Sequence, residues 1–524
     1  MTDATTLWNL LAAGADSAPA IGAPSASPTS SKDGAHGAPE RKTLDFAGLR
    51  ALAQKTVADL NALGIGRNDR VAIVLPNGPE MATAFMTIAC GATTAPLNPD
   101  YKAEEFEFYL SDLGAKALIV EKGSASPAIG VAKKLNVPIH EISSNTDDPA
   151  GVFALPAGKG ARPARGGMAE PGDIALVLHT SGTTSRPKIV PLTQANVTAS
   201  ARHIAATLRL APADRCLNIM PLFHIHGLIA AVLSSIGAGA SVFCAPGFNA
   251  LRFFGWMDEV RPNWYTAVPT MHQAILTRAG RNLDTIERNP LRFIRSSSSS
   301  LPPQVMAELE EIFGAPVVEA YGMTEAAHQM ACNPLPPAPR KPGTVGPAAG
   351  PDVAIMDMDG KLLARGETGE IVIRGPNVTP GYEANPKANA EAFTNGWFRT
   401  GDQGVMDEDG YIAITGRLKE IINRGGEKIS PREVDEVLMD HEAVGQVVTF
   451  AMPHPKLGEE VAAAVVLREG KTVTETELRE FARTRLAEFK VPRKILFLAE
   501  IPKGATGKLQ RIGLAEKLGL GADA

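Results

Sequence analysis

Residues 46–92 read FAGLRALAQKTVADLNALGIGRNDRVAIVLPNGPEMATAFMTIACGA, and this stretch sets the class of fold. Its first part spaces apolar residues as a helix does and closes at Gly64. RVAIVLPNG is a short apolar run ending in a turn, and PEMATAFMTIACGA returns to helical spacing behind a proline. The alternation continues outward. A polar loop NPDYKAEEF, a helix to Leu113 and the strand AKALIVE come next. Then DIALVLHT, CLNIM, SVFCA, WYTAVP and RFIRSSS each give way to a polar or Gly-rich loop. Short β-rich runs between helices imply βαβ units and largely parallel sheets, with ligands at the carboxyl ends of the strands. The fold class is α/β. From about Ala354 shorter alternating strands (VAIMDMDG, GEIVIRG, GYIAITG) predict a small β subdomain, and the pattern after Gly416 predicts a compact α+β module of roughly 100 residues. Residues 14–41, rich in Ala, Pro, Ser and Gly, read as a surface excursion. No internal repeat is visible.

Composition narrows the function. A chain of 524 residues allows about three to four folding units. Its formal charge of −5 gives no global reason to bind nucleic acid or an anionic membrane. Fifty glycines and 40 prolines mark a loop-rich chain, yet 44% hydrophobic content supplies a core. The four cysteines (Cys90, Cys216, Cys244, Cys332) lack any CxxC spacing and read as reduced cytosolic thiols. With no basic region ahead of the first apolar stretch and no peroxisomal tripeptide in GLGADA, the expected location is cytoplasmic. The span between Arg215 and Arg252 contains no charged residue, but Pro221, His224, His226, Ser234 and Ser235 interrupt it, so it reads as a buried centre and not as a membrane crossing.

The strand DIALVLHT runs into Thr180, Ser181, Gly182, Thr183, Thr184, Ser185, Arg186, Pro187 and Lys188. Hydroxyls, a glycine that lets backbone approach, and a terminal cation form a cradle for oligophosphate; taken alone, such a loop is more often an ordinary turn. It is not a Walker loop, and neither is Gly507-Lys508, which is followed by Leu509 and has Pro502 where that motif needs glycine.

The company this loop keeps is specific. TSGTTSRPK, PLFHIHG, EAYGMTEAAH, FRTGD, GRLKEIINRGGEKISPREVDE and IPKGATGK occur in that order. Together they resemble the adenylate-forming superfamily of acyl-CoA synthetases, luciferases and peptide-synthetase adenylation domains, from about Leu44 to the end. HTSGTTSRPK, RSSSSSLPP, MTEAAH followed by NPLPP, and INRGGEKISPREVD are most similar to its oxalate–CoA ligase branch. The resemblance implies ATP, Mg²⁺ and coenzyme A as cofactors and a small carboxylate as the other partner. It divides the chain into an AMP-binding domain, 1–417, and a mobile C-terminal domain, 418–524, hinged at Lys419. A carboxylate would attack the α-phosphate of ATP and a thiol would then displace AMP, so positioning and charge neutralisation dominate the task.

Roles follow by resemblance. Thr180 to Thr184 and Lys188 cradle the phosphates, Thr324 touches the α-phosphate, and Glu325 with Thr180 or water serves Mg²⁺. Glu319, Ala320, Tyr321 and Gly322 receive adenine, and Asp402 and Arg417 the ribose. Gly425 and Gly426 line the passage for pantetheine. Lys508 bridges carboxylate and α-phosphate. It lies in a basic stretch, 479–511, that holds nine Lys or Arg against three Glu. That charge is otherwise read as a solvated face, but here it suits ATP and coenzyme A. For the acid, the candidates are His224, Ser298, Ser299 and His328; His226 reads as core, and its HxH spacing is a poor zinc site. Two departures stand out: Ser185 and Ile189 replace the glycines of the superfamily's TSGTTGxPKG, and the serine run replaces Gly-Ala-Ala, against a long apolar acyl group. The rival readings are another small acid (acetate, malonate, a hydroxy acid), a non-catalytic nucleotide binder, and a carrier-protein adenylating module. Lys508, Glu325 and Asp402 speak against the second, and the short remainder after Lys508 speaks against the third.

Overall fold

The computed structural model describes residues 5–24, 41–158, 160, 162–180, 187–502 and 509–520. Two α/β layers dominate. A six-stranded sheet runs in the order Ile139–Ile142, Ala117–Glu121, Arg70–Val74, Thr93–Pro96, Ile174–His179, Ile189–Thr193. It is parallel except for its last strand, which returns antiparallel from Ile174–His179. An eight-stranded sheet runs His328–Cys332, Val317–Met323, Phe293–Ser297, Trp264–Ala267, Arg215–Asn218, Ser241–Cys244, Pro19–Gly22, Leu44–Asp45. Its two edge strands alone pair antiparallel. Strands such as Ala117–Glu121 and Trp264–Ala267 are buried on both faces, as parallel sheets covered by helices require, which accounts for their unbroken apolar runs.

Local side-chain chemistry starts the helices. Asp45 accepts the Gly48 N–H at 2.7 Å ahead of Phe46–Ala62, and Thr193 and Asn196 form a reciprocal capping box ahead of Gln194–Thr207. A third sheet, antiparallel, contains Asp352–Met356, Thr368–Arg374, Trp397–Met406, Phe393–Thr394 and Ile412–Arg417. The last sheet combines the hairpin Ile422–Arg424 and Glu427–Ile429 with Val444–His454, Gly458–Leu467 and Lys494–Phe497, packed on helices Pro431–Met439 and Glu475–Arg483.

The expectation for residues 14–41 is corrected in part. Pro19–Gly22 is a strand of the large sheet, parallel to Ser241–Cys244, with Ala20 and Ile21 fully buried. Backbone pairing recruits a strand here whose small side chains gave no apolar periodicity. The charge-free span between Arg215 and Arg252 holds two buried strands around the fully buried π-helical segment His226–Leu233, and only its end, with Leu251, comes out to the surface. No helix among the described residues is long and apolar enough to cross a membrane. All four cysteines are free and buried.

Candidate active site

The carboxyl ends of the large sheet, the antiparallel sheet and the C-terminal module meet around a cavity of about 340 Å³. The strand Val317–Met323 contributes Glu319, Ala320, Tyr321 and Gly322, and the loop after Phe293–Ser297 contributes Ser298 and Ser299. Asp402 and Arg417, partners in register on adjacent strands, form a further side. The C-terminal module closes the cavity with Arg432, Asp435, Leu509 and Arg511, among others.

Asp402 is the anchor. It is 8% exposed, its Oδ2 accepts the Tyr321 hydroxyl at 2.5 Å, and its Oδ1 accepts Arg417 Nε at 3.0 Å. Each carboxylate oxygen keeps a lone pair for another donor, so the pair of ribose hydroxyls still fits. Gly322 is dictated by packing. A Cβ there would stand 1.9 Å from the His328 carbonyl oxygen, so only glycine lets the hairpin to His328–Cys332 close.

Glu319 lines the cavity, but its Oε1 is committed to the Leu301 N–H at 2.9 Å, which holds down the loop after the serine run. Burial pushes its carboxyl up to about 7, with Arg432 and the Leu301 N–H opposing. The folded state therefore holds this proton more tightly than the unfolded chain, and stability falls as pH rises from about 4.5 to about 7. Glu319→Gln keeps the acceptor and removes the ionisation. Denaturation at pH 4, 5, 6, 7 and 8 is expected to show the variant more stable than wild type above pH 7, by up to about 3 kcal/mol, with the advantage shrinking to about 1 kcal/mol at pH 5 and vanishing by pH 4.

A second group lies beyond Tyr321. The turn Thr324–Ala326 carries Glu325, 6% exposed, whose Oε1 accepts the Tyr382 hydroxyl at 2.8 Å. Lys188 Nζ sits 4.4 Å from the centre of the Tyr382 ring, and Thr180 and Lys188 pair across the base of their loop, Thr180 N–H to Lys188 carbonyl at 3.0 Å. The phosphate-cradle residues Ser181, Gly182, Thr183 and Thr184 lie outside the described residues, as do Ser185 and Lys508. Ile189 has a structural reason: it is the first residue of the return strand, paired with His179.

Mg²⁺ fits these donors. Burial raises the Glu325 carboxyl, with a backbone N–H and the Tyr382 hydroxyl opposing, and each carboxylate oxygen has a second lone pair to offer a cation. No group of three His, Cys, Asp or Glu that could hold a metal occurs among the described residues. One carboxylate completed by substrate oxygens is how Mg²⁺ binds, whereas zinc needs a fuller set of protein ligands.

Among the candidates for the acid, Ser298 and His328 both hold positive φ, 73° and 101°, a strained backbone for non-glycine residues and one concentrated at functional sites. His328 is buried, its ring 5.0 Å from that of His226. His226 is fully buried, as expected of a core residue, but it also lies 3.0 Å from Ser298 Oγ through Nδ1. His224 is half-buried and accepts the His226 N–H at 3.2 Å. Gly425 and Gly426 form the tip of the hairpin Ile422–Arg424 and Glu427–Ile429 and are not among the cavity's lining residues. Lys419 is exposed in the link between the strands Ile412–Arg417 and Ile422–Arg424.

Residues 28–383 match the family model of the AMP-binding enzyme, and residues 433–508 match that of the AMP-binding enzyme C-terminal domain. The chain belongs to the AMP-binding enzyme family. It is 48% identical over 483 residues to the probable CoA ligase CCL9 of Humulus lupulus, covering 90% of this chain and 91% of that protein. To the oxalate–CoA ligase of Arabidopsis thaliana it is 46% identical over 489 residues, covering 90% and 95%. Its fold matches the crystal structure of ATP-bound MatB from Rhodopseudomonas palustris with a TM-score of 0.84 at 27% identity, over 98% of both chains. As a member of this family it is an AMP-forming acyl-CoA synthetase. Sequence reasoning missed Tyr382, whose contact with Glu325 spans 57 residues, and it missed the side chains behind Ser298.

Proposed function

We propose that this enzyme joins oxalate to coenzyme A through an oxalyl adenylate. The observation that carries the reading is the juxtaposition, in one cavity, of the Tyr321, Asp402 and Arg417 cluster with the hydroxyl edge of Ser298 and Ser299. A short acid with a second carboxylate wants donors there and not an apolar tunnel. The likeness to the oxalate–CoA ligase of Arabidopsis thaliana supports the same substrate.

In the first half-reaction an oxygen of the substrate carboxylate attacks the α-phosphorus and pyrophosphate leaves. Asp402 fixes the ribose, Gly322 and Tyr321 border the adenine, and Thr180, Lys188 and the loop between them hold the phosphates. Glu325 would hold Mg²⁺, which neutralises phosphate charge when bound. Lys508 is the cation for the attacking carboxylate. In the second half-reaction the coenzyme A thiol attacks the acyl carbon and AMP leaves. For this step the C-terminal domain, 418–524, pivots at Lys419, withdraws Lys508 and brings Gly425 and Gly426 to the thiol. The lining of the cavity by Leu509 and Arg511, without Gly425 and Gly426, supports this division of labour.

Pyrophosphate release measured over a panel of carboxylates with coenzyme A tests the reading. Oxalate is expected to give at least roughly a hundredfold higher kcat/KM than acetate, malonate or a fatty acid, the discrimination of a site whose buried polar groups go unpaired with the wrong ligand. Turnover of acetate or fatty acids with none of oxalate would overturn the substrate and leave the reaction class standing.

A further inference from the structure

Arg295 is a charged side chain in the middle of the large sheet, fully buried on the strand Phe293–Ser297 between Trp264–Ala267 and Val317–Met323. A buried cation is ordinarily held by a carboxylate, yet Arg295 has no carboxylate partner among the described residues. Its Nη2 donates to Gln329 Oε1 at 3.2 Å, and its Nη1 lies 3.4 Å from Thr266 Oγ1 and 3.4 Å from His226 Nε2. Its Nε has no hydrogen-bond partner among the described residues. Burial lowers the guanidinium to about 10, which leaves it charged at neutral pH.

Donor chemistry fixes the direction of the chain that follows. A guanidinium only donates, so the His226 Nε2 facing it carries no hydrogen. Thr266 Oγ1, 2.6 Å from Nε2, accepts from Arg295 and donates to that nitrogen. The imidazole is then neutral with its hydrogen on Nδ1, which donates to Ser298 Oγ at 3.0 Å. Ser298 therefore turns its own hydroxyl hydrogen outward, and Ser298 lines the cavity.

We infer that Arg295 is the positioning residue for a dianionic acid: through Thr266 and His226 it makes Ser298 a donor, and its own charge, uncompensated by the chain, is compensated by the substrate's second carboxylate. This deepens the oxalate reading and rests on it. It also says why a fully buried arginine is kept in a core strand: the missing counter-ion arrives with the substrate.

The test compares oxalate with oxamate, the same shape with one carboxylate replaced by a neutral amide. In the full chain, Arg295→Met is expected to lower kcat/KM for oxalate at least a hundredfold and for oxamate less than fivefold, with the KM for ATP within twofold of wild type. Arg295→Lys, which restores the charge, is expected to recover oxalate to within tenfold of wild type. Equal losses on both acids, or no loss on oxalate, would overturn the inference. Where Arg295→Met does not fold, Thr266→Val serves in the same comparison, with at least tenfold expected on oxalate, less than threefold on oxamate, and equal losses again refuting it. The wild type separates the two readings. Turnover of malonate without oxalate removes the oxalate reading and moves the comparison to malonate and its monoamide. A wild type that does not prefer a diacid over its monoamide overturns the role of Arg295 whatever the substrate.

Discussion

Lys508→Ala is expected to abolish acyl-adenylate formation, by roughly a thousandfold or more in ATP-dependent pyrophosphate release, the scale on which a single well-placed charge stabilises a transition state. Thiol attack on presynthesised acyl adenylate is expected to stay within about threefold of wild type, because a residue used only while two anions approach each other has no part once pyrophosphate has left. A lysine suits a transient bridge: a compact charge on a long stem, in a segment punctuated by Gly504 and Gly507. Lys508 lies outside the described residues, but the segment after it is held at the cavity. Leu509 and Arg511 line it, and Arg511 is tied to Asp435 at 2.5 Å and to Glu420 at 3.4 Å. Losing both half-reactions equally would refute the assignment. Separate assays of pyrophosphate release from ATP and of thioester formation from the adenylate read the two.

The residues proposed to meet the nucleotide were legible because ligand chemistry dictates both their type and their local spacing. Tyr321, Gly322, Thr324 and Glu325 follow one another along a strand end, and the structure adds only their burial and bonds. The supporting residues were illegible for the opposite reason. Tyr382 reaches Glu325, and Thr266 reaches Arg295, through topology and not through local spacing, so no window of sequence contains the pair. Arg295 did leave a signal: in RFIRSSS a charge interrupts an apolar, β-rich run. A charged residue in the centre of a parallel sheet needs an explanation from the sequence alone. The strand Pro19–Gly22 left none, since an added strand takes its place by backbone pairing and its Ala and Gly fit a loop equally well. Ile189 shows the reverse case, a departure from a family pattern that becomes ordinary once it begins the return strand.

Asp402→Asn is expected to raise the KM for ATP by roughly two orders of magnitude, the loss of two charge-assisted hydrogen bonds together worth on the order of 3 kcal/mol. The geometry isolates this effect from folding. Asparagine keeps the shape and one acceptor, so either Tyr321 or Arg417 retains a bond. Arg417, whose side chain is 44% exposed, loses little by turning to water. The variant should therefore unfold within about 2 kcal/mol of wild type. Tyr321→Phe provides the contrast: it removes the hydroxyl that donates to Asp402 but leaves the carboxylate and the aromatic face, so its KM for ATP should rise less than about tenfold. If Asp402 served only to brace the strands Trp397–Met406 and Ile412–Arg417, both variants would lose stability with the KM for ATP unchanged. An acceptor of ribose hydroxyls instead separates them, because the charge that binds nucleotide survives in one and is gone in the other.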